Sequence, residues 1–311
     1  MALNTQIWLP DFQKNLYPSN TFYAGTKNDS AYVTGRSVII PNYLDEVTTF
    51  EMTTSTGTYP RTLTELSHTE KTYSMFQPAV DPIFVDPVEN EEFAYRKIDE
   101  IVIQMQEKLM SDVGFRIAWE WTLPNTVTNS FIETTGATTR ANRFGTASVK
   151  RISFQDLLNL QTMLNNQNVP AEGRRLLVDA YGMQDIQTLA LSYNLNSLSE
   201  KAFAEGAVMR IAGFDVFVRS EMPSFTVADA KKAIGAANAV GDLSCAIAYH
   251  PGFVRYAVGT QDNAGLKLFI GQNDPTIYGY AVSAYTRVGA APSYAINTNT
   301  VKGLVTLKEN V

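Results

Sequence analysis

The 311-residue sequence has only two histidines and one cysteine, and these shortages remove whole classes of chemistry. A His-based triad or a multi-histidine metal site lacks the side chains it needs. Cys245 has no partner for an internal disulfide, the pattern of a protein completed in a reducing compartment, and its expected role is packing. Neither a GxxxxGK[ST] phosphate loop nor a GxGxxG turn occurs, so nucleotide binding has no recognisable cradle. No apolar run approaches the ~18–20 residues that cross a bilayer, and no charged segment leads into an apolar core with a small-residue cleavage site. Neither secretion nor membrane insertion is expected. Basic residues are also in deficit: 25 Lys and Arg against 31 Asp and Glu give a net charge of −6, which argues against a protein that grips nucleic acid by neutralising many phosphates.

What is present suits a soluble folded protein: 45% of residues are hydrophobic and 18% charged, enough for a sizeable core. The 15 tyrosines serve contact surfaces and cores equally well. The first 90 residues are rich in Thr, Ser, Tyr, Pro and Gly and read as extended chain. "SVIIPNY" (37–43) is a short strand that Pro41 is expected to stop. Residues 47–76 place β-branched and aromatic side chains on both sides of Gly57 and Pro60, the pattern of a long hairpin. With few large aliphatic residues, it is either an arm within a β domain or a projection that docks on another subunit.

From Glu91 the period changes. Apolar residues recur at Ile98, Ile101, Val102, Met105, Leu109, Val113, Ile117 and Trp121, predicting one helix of about 30 residues, ~45 Å long, that ends at Pro124. It runs through Gly114, which costs roughly 1 kcal/mol relative to Ala. Asp99, Glu100, Glu107 and Lys108 fall off the stripe and should face water. One isolated stripe without sustained heptads favours a helix laid across a sheet over a coiled coil. Residues 125–150 return to loop or strand. Ser153 is a candidate N-cap for a second helix through Phe154, Leu157, Leu160, Met163 and Leu164. "RRLLVD" (174–179) then reads as a buried strand, followed by a further helix or loop. "RIAGFDVFVRSEMP" (210–223) is a strand, 228–242 small-residue helix or loop, and 243–259 a buried strand, a turn at Pro251 and a short helix. Residues 278–307 supply late strands. The fold class is α+β.

Candidate chemistry is sparse. Cys245 and His250 could suggest a thiol–imidazole pair, but a strand followed by a turn gives their side chains no reason to meet. Arg174 and Arg175 could bind phosphate, though interfacial or surface pairing with carboxylates is the expected role. Arg140, Arg143, Lys150 and Arg151 could face nucleic acid or acidic neighbours, but alternate with small polar residues as a solvated loop does, which is the preferred reading.

The order of phrases is more specific than any one of them. "IIP", a Thr-rich hairpin, "VDPVENEEFAYRKIDEIVIQMQEKL", "NVPAEGRRLLVDAYGMQDI", "IAGFDVFVRSEMP", "AIAYHPGFVRYAVG" and "YGYAVSAYTRVG" follow one another in a way that resembles the major capsid proteins of tailed phages with the Hong Kong 97 fold. The resemblance covers nearly the whole chain. It implies an N-terminal arm (1–44), an E-loop hairpin (45–88), a P-domain with a spine helix (89–152), an A-domain with a mixed sheet (153–284) and C-terminal strands returning to the A- and P-domains (285–311). It further implies a structural protein, not an enzyme, without cofactor or metal. The subunit would self-assemble into hexamers and pentamers of an icosahedral shell in the host cytoplasm, around double-stranded DNA held without sequence-specific binding. A separate scaffolding protein and a portal are implied partners, because the strand at 37–41 comes too early for a long cleaved scaffolding segment. Phe50, Met52, Leu63, Leu66 and Phe76 would contact a neighbouring subunit. Ile98, Ile101, Val102, Met105 and Leu109 would pack the spine helix, and no motif establishes a Lys–Asn cross-link. An encapsulin-like compartment shell is the nearest alternative, and a soluble α+β hydrolase using Cys245 and His250 the alternative of another class.

Overall fold

Along the long periodic segment the apolar positions recur every four residues, through Met105, Leu109, Val113, Ile117 and Trp121. The computed structural model describes residues 20–44, 68–85, 97–192, 210–259, 267–271, 280–293, 295–297 and 300–311, and the segment forms helix α1, Lys97–Trp121, about 37 Å long. Each residue advances about 100° around a helix, so a four-residue spacing rotates the stripe by about 40° at every step. Met105 and Leu109 consequently pack with Val282 and Ala284, whereas Val113, Ile117, Ala118 and Trp121 pack with Phe22, Ile247, Tyr249 and Val288. One helix thereby joins two cores.

Five described strands precede it: β1 (Lys27–Asn28), β2 (Val33–Thr34), β3 (Ser37–Leu44), β4 (His68–Ser74) and β5 (Ala79–Val85). β3 pairs antiparallel with β4 and, at its start, with β2. Pro41 does not stop β3 as expected. The ladder shifts register between Ile40 and Tyr43, and β2 has already ended there, so the missing backbone donor falls at an irregularity.

After α1 come β6 (Phe131–Glu133), the hairpin of β7 (Thr139–Ala141) and β8 (Ser148–Lys150), α2 (Phe154–Asn166), β9 (Arg175–Val178) and α3 (Ala180–Ser192). Ser153 caps α2 in a reciprocal box with Asp156, satisfying donors that a helix start leaves open. At the other end Asn168 takes the left-handed conformation (φ 54°), with Val169 N–H donating to Leu164 O (3.1 Å) and Asn168 N–H to Asn165 O (2.9 Å). This is a Schellman ending with Asn in the position usually given to Gly.

The remaining strands are β10 (Arg210–Ile211), β11 (Phe214–Val218), β12 (Ser224–Phe225), β13 (Leu243–Tyr249), β14 (Val254–Val258), β15 (Lys267–Gly271), β16 (Tyr280–Tyr285), β17 (Val288–Pro292), β18 (Ala295–Asn297), β19 (Thr300–Val301) and β20 (Leu304–Lys308). Residues 254–258 are a strand and not the expected short helix: Pro251–Phe253 makes only a 3-10 turn, and β14 then pairs along its length with β17. The main sheet is mixed, in the order β10-β11-β9-β13-β20-β6, with β12 added against β13. Leu176 and Val178 face α2 and α3 while Leu177 faces α1. Burial on both faces explains why β9 and β13 read as continuous apolar runs. A smaller sheet, β15-β16-β5, lies against the first half of α1.

Leu109 is 1% exposed, and Leu109→Ala should lower subunit stability by about 2–5 kcal/mol in urea denaturation. A loss under about 1 kcal/mol would show that β16 does not pack on that turn of α1.

Candidate functional site

The β3–β4 ladder has a firmly built root. Val38 and Met75 are buried with Val33 and Ala257. Tyr73 Oη donates to Asp29 (3.1 Å), which also accepts from Arg255 (2.9 Å). Burial first, and the Asp29 carboxylate second, hold the Tyr73 phenol far above its ordinary range. Gly289 in β17 lets the ladder approach: a Cβ there would stand 2.7 Å from Met75 Sδ and 3.0 Å from Ser74 O. Among the proposed hairpin contacts, Phe50, Met52, Leu63 and Leu66 lie outside the described residues. Phe76 is described: its backbone exchanges two hydrogen bonds with Val288 (both 2.8 Å), while its side chain remains 40% exposed.

Phe76 forms one wall of a cleft of about 660 Å³ between the outer face of α1 and the loop 226–242. Its ring lies 3.3 Å from the Arg116 guanidinium carbon, and Arg116 pairs with Glu120 at 2.6 Å. Trp119 donates from Nε1 to Lys232 O (2.7 Å), and its ring faces the Lys231 ammonium at 3.6 Å. Lys231 donates to Thr122 O (2.8 Å), and burial pushes its pKa down to about 8. The cleft alternates aromatic rings with cations that already have partners. It is suited to receiving a side chain through stacking and apolar contact.

Of the helix positions, Met105 and Leu109 are buried, and Ile101 and Val102 are half-buried against the same cluster. Ile98 lies in α1, and its side chain falls outside the described residues. The arginine pair corrects the sequence reading. Arg174 is 2% exposed and is not a surface charge. It donates to Pro170 O (2.9 Å), Val169 O (2.7 Å) and Asn165 Oδ1 (2.7 Å), closing the carbonyl-rich end of α2. Burial lowers its pKa. Arg175 donates to Phe22 O (2.9 Å) and Ala24 O (2.5 Å), tying the N-terminal segment to the main sheet. Both serve backbone carbonyls instead of carboxylates.

A second correction concerns Arg140. It is not part of a solvated loop: its side chain is 5% exposed, between Asp185 of α3 (3.2 Å) and Glu309 beyond β20. Asp179 lies close by, accepting from Ser244 Oγ (2.9 Å) and Gly182 N–H (2.7 Å), with Arg143 at 3.7 Å. Arg151 approaches Asp185 at 3.8 Å, beyond hydrogen-bond reach. Burial alone would depress the Arg140 pKa, but Glu309 and Asp185 outweigh it and raise it. Burial raises the pKa of both carboxylates despite the arginine. The hairpin, α3 and the strand β20 are thus held at one buried cation.

Cys245 lies within β13 and His250 just beyond its end, five residues and about 17 Å of extended chain apart. Cys245 donates from Sγ to Pro223 O (3.2 Å), and burial pushes the thiol up to about 12. His250 Nδ1 accepts from Gly252 N–H (3.0 Å), which leaves Nε2 to donate to Glu172 O (3.1 Å). They do not form a nucleophile–base pair. Among the described residues no group of three His, Cys, Asp or Glu side chains is placed to hold a metal ion, and no helix is long and apolar enough to cross a membrane.

Because Asp185 and Glu309 have raised folded-state pKa values, each contributes stability that is full below the ordinary carboxylate pKa and lost as pH rises through the raised value. Removing Arg140 raises both values further. Arg140→Met should therefore cost about 3–5 kcal/mol at pH 8 and visibly less at pH 5, read from urea denaturation at the two pH values. Equal losses at both would show that the carboxylates do not respond to Arg140.

No family model matches the sequence, and no curated protein matches it. Solved structures do. The capsid of the cyanophage P-SCSP1u matches with a TM-score of 0.62 and 14% identity, covering 97% of this chain and 92% of that one. The capsid of cyanophage Pam1 matches with a TM-score of 0.60 and 10% identity, over 99% and 97%. The capsid of Ralstonia phage GP4 matches with a TM-score of 0.59 and 10% identity, over 99% and 96%. At such identities the likeness is one of fold, and it runs the length of both chains: this α+β chain has the fold of tailed-phage capsid subunits.

Proposed function

We propose that the chain is a major capsid protein, a structural subunit that self-assembles into hexamers and pentamers closing an icosahedral head around double-stranded DNA. The observation that carries this reading is the end-to-end likeness of fold to phage capsid subunits. In this proposal residues 1–44, which include β3, are the N-terminal arm and residues 45–88, which include β4, are the E-loop, whose residues 45–67 reach a neighbouring subunit with Phe50, Met52, Leu63 and Leu66. Phe76 sits where the ladder meets the body and presents its ring to the same contact. Helix α1 is the spine of the P-domain (89–152), the main sheet with α2 and α3 belongs to the A-domain (153–284), and residues 285–311 return to both. A net charge of −6 suits a wall that lets DNA slide during packaging and ejection. A separate scaffolding protein and a portal complete the assembly, which forms in the host cytoplasm and ends in the virion. No catalytic step or cofactor enters the role.

Electron microscopy of the purified chain, alone and with its genomic neighbours, tests the reading. Closed polyhedral shells or capsomer rings are expected, with nucleic acid inside the particles made with the neighbours. Protein cargo there would instead indicate a compartment shell, and a persistent monomer under both conditions would overturn the proposal. Replacing residues 45–67 by a short Gly/Ser turn should leave the melting temperature of the subunit within a few degrees while abolishing closed shells. Normal shells from that variant would remove the hairpin from the assembly contact.

A further inference from the structure

Two arginines share one small cavity beside the root of the β3–β4 ladder. The turn between β2 and β3 is two residues long, Gly35 and Arg36, since Thr34 pairs with Ser37. Gly35 takes the left-handed conformation (φ 64°) and Arg36 does not, the pattern of a tight hairpin turn with glycine first. The Arg36 carbonyl accepts from Met75 N–H (2.7 Å), which fixes its backbone. Arg287 stands immediately before β17. Its backbone is set between Thr286, which donates to Pro78 O (3.1 Å), and Val288, which exchanges two bonds with Phe76. From there Arg287 Nη1 donates to Gly35 O (2.8 Å), the carbonyl next to Arg36. Both arginines line a cavity of about 260 Å³, together with Met75, Phe76 and Gln77.

The donors of this pair are almost unspent. A guanidinium carries five N–H groups; Arg287 uses one, and the Arg36 side chain has no hydrogen bond or ion pair with any described residue. Every other described arginine reaches a carboxylate or at least two carbonyls. The chain has 31 acidic residues against 25 basic ones, yet no described carboxylate lines this cavity. Two cations brought together without a counter-ion repel one another, and an anion from outside removes that cost. A single guanidinium fork already satisfies a carboxylate. Two forks from different parts of the chain, with the Gln77 amide beside them, offer two charges and donors for three or more oxygens, as a phosphate group requires. Met75 and Phe76 supply an apolar wall that strengthens such bonds.

We propose that the cavity between Arg36 and Arg287 binds a phosphate group, carried either by free phosphate or by a nucleic-acid strand. Arg36 and Arg287 grip it from two sides, and Gln77 donates to a remaining oxygen. The turn at Gly35 holds the two guanidinium groups in place before the anion arrives. This inference goes beyond the capsid reading and does not depend on it.

Arginine modification by phenylglyoxal, read by peptide mass spectrometry on the full, unassembled chain at constant ionic strength, tests it. With a dissociation constant of about 1 mM, inorganic phosphate at about 10 mM should slow modification of both Arg36 and Arg287 about tenfold. Arg210, whose exposed side chain pairs with Asp215 at 3.7 Å, should react at an unchanged rate. In Arg36→Gln, which removes no side-chain contact with a described residue and so leaves the fold intact, phosphate should no longer protect Arg287. In Arg287→Gln it should no longer protect Arg36. Protection that persists in Arg36→Gln, or that extends equally to Arg210, would overturn the proposal, and so would equal protection by acetate. A short DNA duplex distinguishes the sources. If it protects both arginines, and does so less as salt rises, the phosphate of a strand is a ligand. If only inorganic phosphate protects, the ligand is free phosphate, and protection by neither would leave the site without its anion and the proposal refuted.

Discussion

The architecture depends on the pitch mismatch between a four-residue apolar spacing and the 3.6-residue turn of α1. A stripe confined to one side would bury the helix against a single sheet. Here the stripe turns by about 160° between Met105 and Trp121, so successive turns of one rigid element face different partners. Met105 and Leu109 serve the sheet β15-β16-β5, and Ile117 and Trp121 serve β13, β17 and the N-terminal Phe22. The two cores are held in fixed relation by a helix that cannot bend easily without opening one of them. Every other placement, including the root of the β3–β4 ladder on β17, inherits its position from that beam.

Three arginines perform a complementary task. Arg140, Arg174 and Arg219 are each less than 10% exposed; Arg140 and Arg219 gather groups from distant parts of the chain, and Arg174 gathers acceptors from the helix end and turn just before it. Arg174 gathers the carbonyls at the end of α2, Arg219 the N-terminal Asn20 and the backbone of α1, and Arg140 the carboxylates of α3 and the C-terminal segment. Burying a guanidinium is expensive unless its donors are used. The five donors in a planar fork are what allow one side chain to hold several acceptors at once. A lysine in any of the three places could not reproduce the geometry.

The elements that sequence made readable are those with local causes. α1 follows from its periodicity, α2 from Ser153 and its apolar stripe, and β9 and β13 from apolar runs of strand length. The failures have causes that local propensity does not carry, most of them distant in sequence. Arg140 looks solvated because its partners lie 45 and 169 residues away. Arg174 looked like a surface charge because the carbonyls it serves exist only once α2 has formed and ended. The strand at 254–258 depends on pairing with β17, and Pro41 within β3 depends on a register shift; neither is written in local propensity. Gly114 is a visible anomaly in the helical stripe, and only the structure supplies its reason: a Cβ there would stand 1.9 Å from Asn20 Oδ1. For the candidate site, Phe76 was legible as an aromatic at the foot of the hairpin, but the cleft it walls, with Arg116 and Trp119, required the loop 226–242 to fold back on α1.

The place of β20 in the main sheet carries a kinetic consequence. Leu304–Lys308 is the last described strand in sequence, yet it lies between β13 and β6, hydrogen-bonded to both. As a chain emerges from the ribosome, β13 presents an open edge until those residues arrive, and the anchor of Arg140 at Glu309 is also missing. Contacts of such sequence separation form slowly. Partly synthesised chains thus lack a completed sheet, and the surfaces that depend on it become available only to subunits made through residue 309.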